Sequence, residues 1–396
     1  MRTFSFIAGF ICVIAALLDA FQTVILPRRA TGRFRLTRLF YVFTWTPWSA
    51  ISSQIKHPRK RETALSFYGP LSLVFLIVAW AAALVFGFAL MYYGLGSHFT
   101  DSLGIQADFR TDLYVSGTTL FTLGLGDVVP RNPWTREMII VECGMGLGFV
   151  AVVIGYFPVL YGAFSKREAS ISLLDARAGS PPTAVELLRR HSFDGGEAAL
   201  RVLLEEWERW AADLMESHIS YPLLCYFRSQ HTSQSWLSAL TAILDTCALL
   251  IAGVNGHPAR QAQLTFAIAR HALVDLSQVF SQPPVTDMED RLPPERFDAL
   301  YALLCQSGVS VCRDAGSMER LRQMRGMYEG YAEAMSRYVC MPLPPWVAEH
   351  PHKDNWQTVA RVRAQAEAGS DEGGAATAAP REDSSVLAGF DDRHDF

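Results

Sequence analysis

Apolar and polar positions along the chain follow two regimes. Up to about residue 164 the apolar residues come in long runs. Beyond it they recur every three or four positions, the period of helices with one buried face. Three runs, residues 4–26, 71–93 and 138–164, are long enough to cross a bilayer, which takes about 20 apolar residues. Between the second and third lies a shorter apolar stretch, LYVSGTTLFTLGLG (113–126), too short to cross and too apolar to stay in water. In the second regime, helical periodicity runs over 196–218, 235–252, 258–280, 294–306 and 317–335. GVNGHP, SQPPV and RLPPE punctuate these helices, and Thr183 and Glu186 are spaced as a capping box before an earlier one. Residues 235–252 are apolar enough to imitate a span, but they hold Asp245 and lie between polar turns, so a buried helix is expected. The end of the chain, from about residue 365, is rich in Ala, Gly, Asp and Glu and predicts disorder.

Composition agrees with an apolar region diluted by a soluble one. Of 396 residues, 50% are apolar and 19% charged, and the mean hydropathy is +0.14. A net charge of −4 gives no footprint for nucleic acid. The seven cysteines include no C-x-x-C pair, which argues against a structural zinc site or a disulfide framework; buried reduced thiols are the expectation. The first apolar run lacks a small-x-small cleavage site and meets Pro27-Arg28-Arg29 at once, so it reads as a retained anchor.

Charge sets the orientation of the spans. Residues 27–61 hold nine basic residues (Arg28, Arg29, Arg33, Arg35, Arg38, Lys56, Arg59, Lys60 and Arg61) and no acid. Residues 94–137 carry Asp101, Asp108, Asp112, Asp127 and Glu137 against three arginines, and Lys166 and Arg167 follow the third run. The basic loop is then inside and the 94–137 loop outside. The N-terminus is outside and the C-terminal half cytoplasmic, in a multi-pass protein of the plasma (cell inner) membrane. Residues 36–55, aromatic, flanked by positive charge and broken by Pro47, read as an interfacial helix.

The 113–126 stretch is expected to dip into the membrane and return, which backbone tolerates only where protein buries it or water lines it. A short helix over 112–121 would point its negative carbonyl end inward and favour a cation. Glycine reaches positive φ at no steric cost, so Gly124 and Gly126 suit alternate left-handed positions in the returning segment. Thr122, Leu123, Gly124, Leu125 and Gly126 would then offer a ladder of carbonyl oxygens that replaces the hydration shell of K+. Leu123 and Leu125 would pack into the surrounding wall. A P-loop reading fails for want of a Gly-Lys-Ser/Thr and of a preceding strand.

The run Tyr114-x-Ser116-x-Thr118-Thr119-Leu120-x-Thr122-Leu123-Gly124-Leu125-Gly126-Asp127-x-x-Pro130 resembles the pore signature of potassium channels, closest to the bacterial two-helix-pore ("ion channel") family. The resemblance covers about residues 65–168. It implies an outer helix, pore helix, filter and inner helix, working as a homotetramer with K+ as the permeant ion and no cofactor. Tyr114 and Asp127 match family positions that support the filter without binding ions. Phe121, Leu123 and Leu125 stand where the family usually has threonine, valine and tyrosine. Leu125 lacks the hydroxyl that ties the filter to its wall, which opens a weakly selective cation channel as an alternative. Phe121 is the support for a third reading, a non-conducting membrane-anchored helical sensor or scaffold.

In the third run Gly155 and Pro158 are candidate hinge residues of a gate by the same resemblance, and Gly144, Gly146 and Gly148 suit close helix packing. Glu142, an intramembrane carboxylate, either supports the pore helix, responds to outside pH or packs as a hydrogen-bonded neutral group. Asp19 is expected to pair with an arginine of the basic loop. The arginines from Arg28 to Arg38 lack the spacing of a voltage sensor. The soluble half lacks a strand followed by G-x-G-x-x-G, the strands of a cyclic-nucleotide domain and any nucleophile or metal motif, so no enzyme is expected. Its odd piece is 218–236, HISYPLLCYFRSQHTSQSW, either a ligand pocket or an interhelical loop. A cytoplasmic ligand is left open.

The expected fold is therefore an all-α membrane protein with three transmembrane helices, a re-entrant pore helix and filter loop, and an all-helical cytoplasmic domain. Its parts are an anchor (1–27), a basic interfacial segment (28–64), a pore domain (65–168), a helical domain (169–350) and a linker with an acidic tail (351–396).

Overall fold

The structure is a computed structural model and describes residues 1–25, 36–101, 107–229, 234–254 and 258–347. Arg28, Arg29, Arg33, Arg35 and the tail from residue 351 lie outside the described residues. The described chain is mostly helical. Four of its helices are long and apolar enough to cross a membrane: α1 (Arg2–Val24), α3 (Pro58–Leu95), α5 (Pro133–Ala178) and α8 (Trp236–Gly253). Between them lie α2 (Leu36–Ser53), α4 (Phe109–Leu120), α6 (Ala184–Arg190) and α7 (Gly196–Ser220). After them come α9 (Ala259–Val279), α10 (Pro294–Gln306), α11 (Ala315–Gly326) and α12 (Glu329–Val339). The run expected as one helix over 317–335 is thus two, with Met327 and Tyr328 between them.

The chain divides into two units. The first is Met1–Lys166 together with Met215–Arg228. In it α1 lies along α3, and small residues set the approach. A Cβ on Gly9 would stand 2.4 Å from the Gly87 carbonyl, and one on Gly94 would stand 2.6 Å from the Phe6 nitrogen. Only glycine lets the two backbones come this close. At 38 residues α3 is about 57 Å long, and α5 at 46 residues about 69 Å. Both exceed the roughly 30 Å hydrocarbon core. Pro58 opens α3 at a position where its missing N–H costs nothing, and left-handed Gly96 closes it. Strands β1 (Phe99–Asp101) and β2 (Val128–Pro130) pair antiparallel, Phe99 opposite Pro130, and close the segment between α3 and α5 into a loop.

Asp19 is buried on α1. It accepts from the Thr37 hydroxyl at 2.5 Å, the Thr37 backbone N–H at 3.1 Å and the Trp80 indole at 2.9 Å. It therefore caps the first turn of α2 from another helix and joins α1, α2 and α3. The arginines of the basic loop from Arg28 to Arg35, one of which was expected to pair with it, lie outside the described residues.

Met215–Arg228, the odd piece of the sequence in large part, packs within this first unit. A 3-10 turn, Pro222–Tyr226, carries Tyr226 into an aromatic cluster. Its ring stacks on Tyr41 at 5.5 Å and meets Trp45 at 4.9 Å and Tyr68 at 5.3 Å. Phe227 lies over Gly69, where a Cβ would come within 2.9 Å of its ring. Buried Arg228 donates to Glu62 at 2.7 Å.

The second unit is Arg167–Leu214 with the described residues from Ser229 onward. Its centre is α8, whose apolar window is 89% buried within the chain, against 28%, 44% and 11% for α1, α3 and α5. Asp245 on α8 is fully buried; it pairs with Arg291 at 2.7 Å and accepts from the Tyr328 hydroxyl. Arg291 also reaches Glu329 at 3.1 Å and the Pro344 carbonyl at 2.7 Å. Thr183 caps α6 by accepting from the Glu186 N–H, but Glu186 turns its side chain to Arg189 and Arg190, so only half of the expected capping box forms. Cys225 and Cys247 are buried thiols as expected, whereas Cys305 is exposed.

Candidate functional site: the loop between α4 and α5

Helix α4 begins three residues earlier than the sequence pattern suggested. Asp108 caps it, accepting from the Thr111 N–H at 2.9 Å, with the reciprocal Thr111 contact completing a capping box. Its buried face is Asp112, Val115, Ser116 and Leu120. Ser97 donates to Asp112 at 2.6 Å, which ties the start of α4 to the end of α3.

The C-terminus of α4 ends in two bonds of a Schellman motif. The Leu123 N–H reaches back to the Thr118 carbonyl at 2.7 Å, and the Thr122 N–H to the Thr119 carbonyl at 2.9 Å. That motif needs a left-handed residue at its turn, and here it is Thr122, with φ of +56°. Gly124 and Gly126 follow with φ of +52° and +77°. Alternate residues 122, 124 and 126 are thus left-handed. The two glycines behave as their spacing predicted, while Thr122 joins them through the helix cap, which composition does not reveal.

Residues 121–127 are all exposed on the single chain. Leu123 and Leu125 are 63% and 64% exposed, and no atom beyond their chain neighbours stands within 4 Å of a Cβ built on Gly124 or Gly126. The wall expected around the two leucines is not supplied by their own chain. Tyr114 and Asp127 do meet: the Tyr114 hydroxyl donates to the Asp127 carboxylate at 2.9 Å, spanning the loop from the helix before it to the residue after it.

Behind the loop, Glu142 on α5 is fully buried. It accepts from the Tyr92 hydroxyl of α3 at 2.6 Å and from the Ser116 hydroxyl of α4. One carboxylate so joins three helices. Two carboxylate oxygens facing two hydroxyl donors satisfy all four groups in an environment where an unmet one is costly. Next to it, Gly146 packs on the end of α4: a Cβ there would stand 2.0 Å from the Leu120 carbonyl oxygen. Gly144 and Gly148, by contrast, face open space. The packing role considered for three glycines falls to one of them within the chain. Neither the partners of Glu142 nor the seat of Gly146 carried a sequence signal beyond a carboxylate and small residues in an apolar helix.

Gly155 also faces open space, and α5 runs unbroken through Pro158. Pro158 has no N–H to offer, so the carbonyl one turn before it lacks its helical donor. Tyr156, buried between these two residues, meets Tyr221 at 5.7 Å between ring centres, and Phe164 meets Phe227 at 5.5 Å. The stretch of α5 from Tyr156 to Phe164 is therefore in contact with Met215–Arg228. Among the described residues no group of three or more His, Cys, Asp or Glu gathers as a metal site.

Residues 73–160 match the family model described as "Ion channel", which makes this part of the chain an ion-channel domain of the two-helix-pore family. A relative described as "Uncharacterized membrane protein YdjJ", from Bacillus subtilis (strain 168), is 25% identical over 242 residues, 60% of this chain and 67% of that protein. No solved structure matches the chain significantly. The chain is a membrane protein with an ion-channel domain.

Proposed function

We propose that the protein is a potassium-selective channel in which four copies surround one axis. K+ passes down its gradient through the carbonyls of Thr122, Leu123, Gly124 and Leu125, with Gly126 closing the ladder. The observation that carries this is the alternation of left-handed residues at 122, 124 and 126 directly after a capped helix. A chain that alternates between the two backbone regions turns successive carbonyls to one side, and rings of such carbonyls coordinate K+. In this reading α1, α3 and α5 cross the plasma membrane, α4 enters it from outside, and α8 is the core of a cytoplasmic domain. The burial of α8 inside its own unit supports that assignment. The exposure of Leu123, Leu125 and most of α5 supports neighbouring copies as the missing wall. Tyr114, Asp127 and Glu142 hold the loop in place, and Gly155 and Pro158 form the hinge. The contacts of Tyr221 and Phe227 with α5 support control by the helical domain. The channel acts without cofactor or catalysis.

A weakly selective cation channel is the second reading. The side chain of Leu125 can make no hydrogen bond, so the filter lacks one brace against adapting to Na+. Flux into liposomes under K+ or Na+ gradients separates the two, with Gly124→Ala as the control. K+ flux well above Na+ flux, lost in the variant, is expected. Equal flux of the two ions selects the second reading, and flux unchanged in Gly124→Ala would refute the carbonyl ladder.

A further inference from the structure

Helix α2 turns a largely apolar side away from the protein. The side it turns to the protein carries the polar work. Thr37 bonds Asp19, the Thr44 hydroxyl shares a 2.8 Å hydrogen bond with Tyr68, and the Trp48 indole donates to the Ala64 carbonyl at 3.1 Å. The opposite side is a largely apolar stripe at helical spacing, Leu39, Val42, Phe43, Pro47, Ala50 and Ile51, with Thr46 among them. Phe43 is 73% and Ile51 67% exposed. A helix that faced water would carry charged and polar residues on that side. Yet α2 is not among the helices apolar enough to cross. A helix of this kind lies in the membrane boundary with its apolar side among acyl chains.

The corner where α2 passes into α3 adds charge. Lys56, Arg59, Lys60 and Arg61 are exposed, and their side chains make no hydrogen bond or ion pair among the described residues. The acid in the same turn, Glu62, is taken by buried Arg228 at 2.7 Å. Among the described residues the corner is thus left with four uncompensated cations at the end of this stripe.

We propose that this surface binds an anionic phospholipid, its acyl chains against the α2 stripe and its phosphate among Arg59, Lys60 and Arg61. The charge complementarity of the corner selects the lipid class. The inference concerns a face remote from the filter in sequence and stands whether or not the pore selects K+.

The test uses the full chain in neutral detergent micelles with spin-labelled phosphatidylglycerol or phosphatidylcholine, reading the fraction of each lipid immobilised on the protein. Several-fold preference for phosphatidylglycerol is expected, falling towards equality in high salt and in Arg59→Gln/Lys60→Gln/Arg61→Gln. In Phe43→Ser/Ile51→Ser both lipids should be held less. Equal immobilisation of the two lipids by the wild type would overturn the proposal, as would a preference that survives both high salt and the triple substitution. A stripe variant that holds lipid normally but alters the number of copies per particle would assign the stripe to a second copy and overturn it too. The salt series needs no variant and decides the matter if a variant fails to fold.

Discussion

Gly146→Ala is the sharpest test of how the loop is positioned. The added Cβ would stand 2.0 Å from the Leu120 carbonyl oxygen, and the contact is with backbone, not with a side chain that can swing away. Ordinary carbon–oxygen contacts of this kind lie at about 3.3–3.6 Å. The end of α4 and α5 must therefore separate by more than 1 Å, to judge from that difference. Overpacking of this sort costs about 1–3 kcal/mol. Set against it is the gain in helix propensity of alanine over glycine, about 1 kcal/mol. Gly148→Ala isolates the gain, because nothing of its own chain stands within 4 Å of the new Cβ. The two variants should then differ by about 1–3 kcal/mol in stability, the cost felt only at 146. Flux should separate them further, since Leu120 is two residues from Thr122, where the left-handed alternation begins. The assays are thermal unfolding of both variants in one detergent and ion flux in liposomes. A Gly146→Ala protein as stable and as conductive as Gly148→Ala would refute the claim that this contact seats the filter.

Other outcomes follow from the same geometry. Glu142→Leu leaves the Tyr92 hydroxyl without its acceptor, while the Ser116 hydroxyl still reaches the Val85 carbonyl at 2.9 Å, and should cost about 1–3 kcal/mol for the buried group left unmet. Tyr92→Phe should recover part of that loss in the double variant, and purely additive losses in thermal unfolding would show the bond to be idle. Tyr114→Phe removes the tether to Asp127 and should lower the ratio of K+ to Na+ flux with little change in unfolding temperature. Arg291→Met leaves buried Asp245 without its cation, while Glu329 keeps Arg325 at 3.0 Å, and should cost about 3–5 kcal/mol, the usual loss on breaking a buried pair from one side. Burial holds the His191 imidazole below its ordinary value. The unfolded chain then takes up a proton at higher pH than the folded one, so His191 favours folding above about pH 6.5 and loses that contribution as the pH falls. His191→Gln should flatten the decline of unfolding temperature just below that pH; an unchanged slope would mean that other groups set it.

How much of this was legible in the sequence depends on the range of the interactions. The long apolar helices, the short helix before the loop and the left-handed Gly124 and Gly126 are local consequences of apolar run length and glycine spacing, and they came out as helices and left-handed residues where the sequence placed them. Four of the five helices read in the second half did so too, because a 3.6-residue period is written within one segment. The fifth split at Met327 and Tyr328. The Tyr328 side chain is drawn to Asp245 on α8, 83 residues away, and no local pattern records that pull. Asp19 shows the same limit. An intramembrane carboxylate signals a partner, and the basic loop was the natural source of one. Among the described residues its oxygens are met by a threonine at the start of α2 and an indole on α3, groups too common in the sequence to single out.

The segment 215–228 is where the limit bears most on function. By sequence it belongs to the soluble half, and its Tyr, Phe and Arg residues fit either a pocket or a loop. In the structure, Tyr226 completes an aromatic cluster with residues of α2 and α3, and Arg228 neutralises Glu62 at the start of α3. Each of these groups is about 160 residues or more from its partner. A polar-aromatic stretch of this composition is ambiguous alone because its apolar rings need a cover and its charge needs a counter-ion. The first unit supplies both. The same contacts put Tyr221 against Tyr156 and Phe227 against Phe164, on either side of Pro158. A bend at Pro158 would have to move at least one of those ring pairs. Any movement of the 215–228 segment therefore reaches α5 on either side of Pro158 through packed rings.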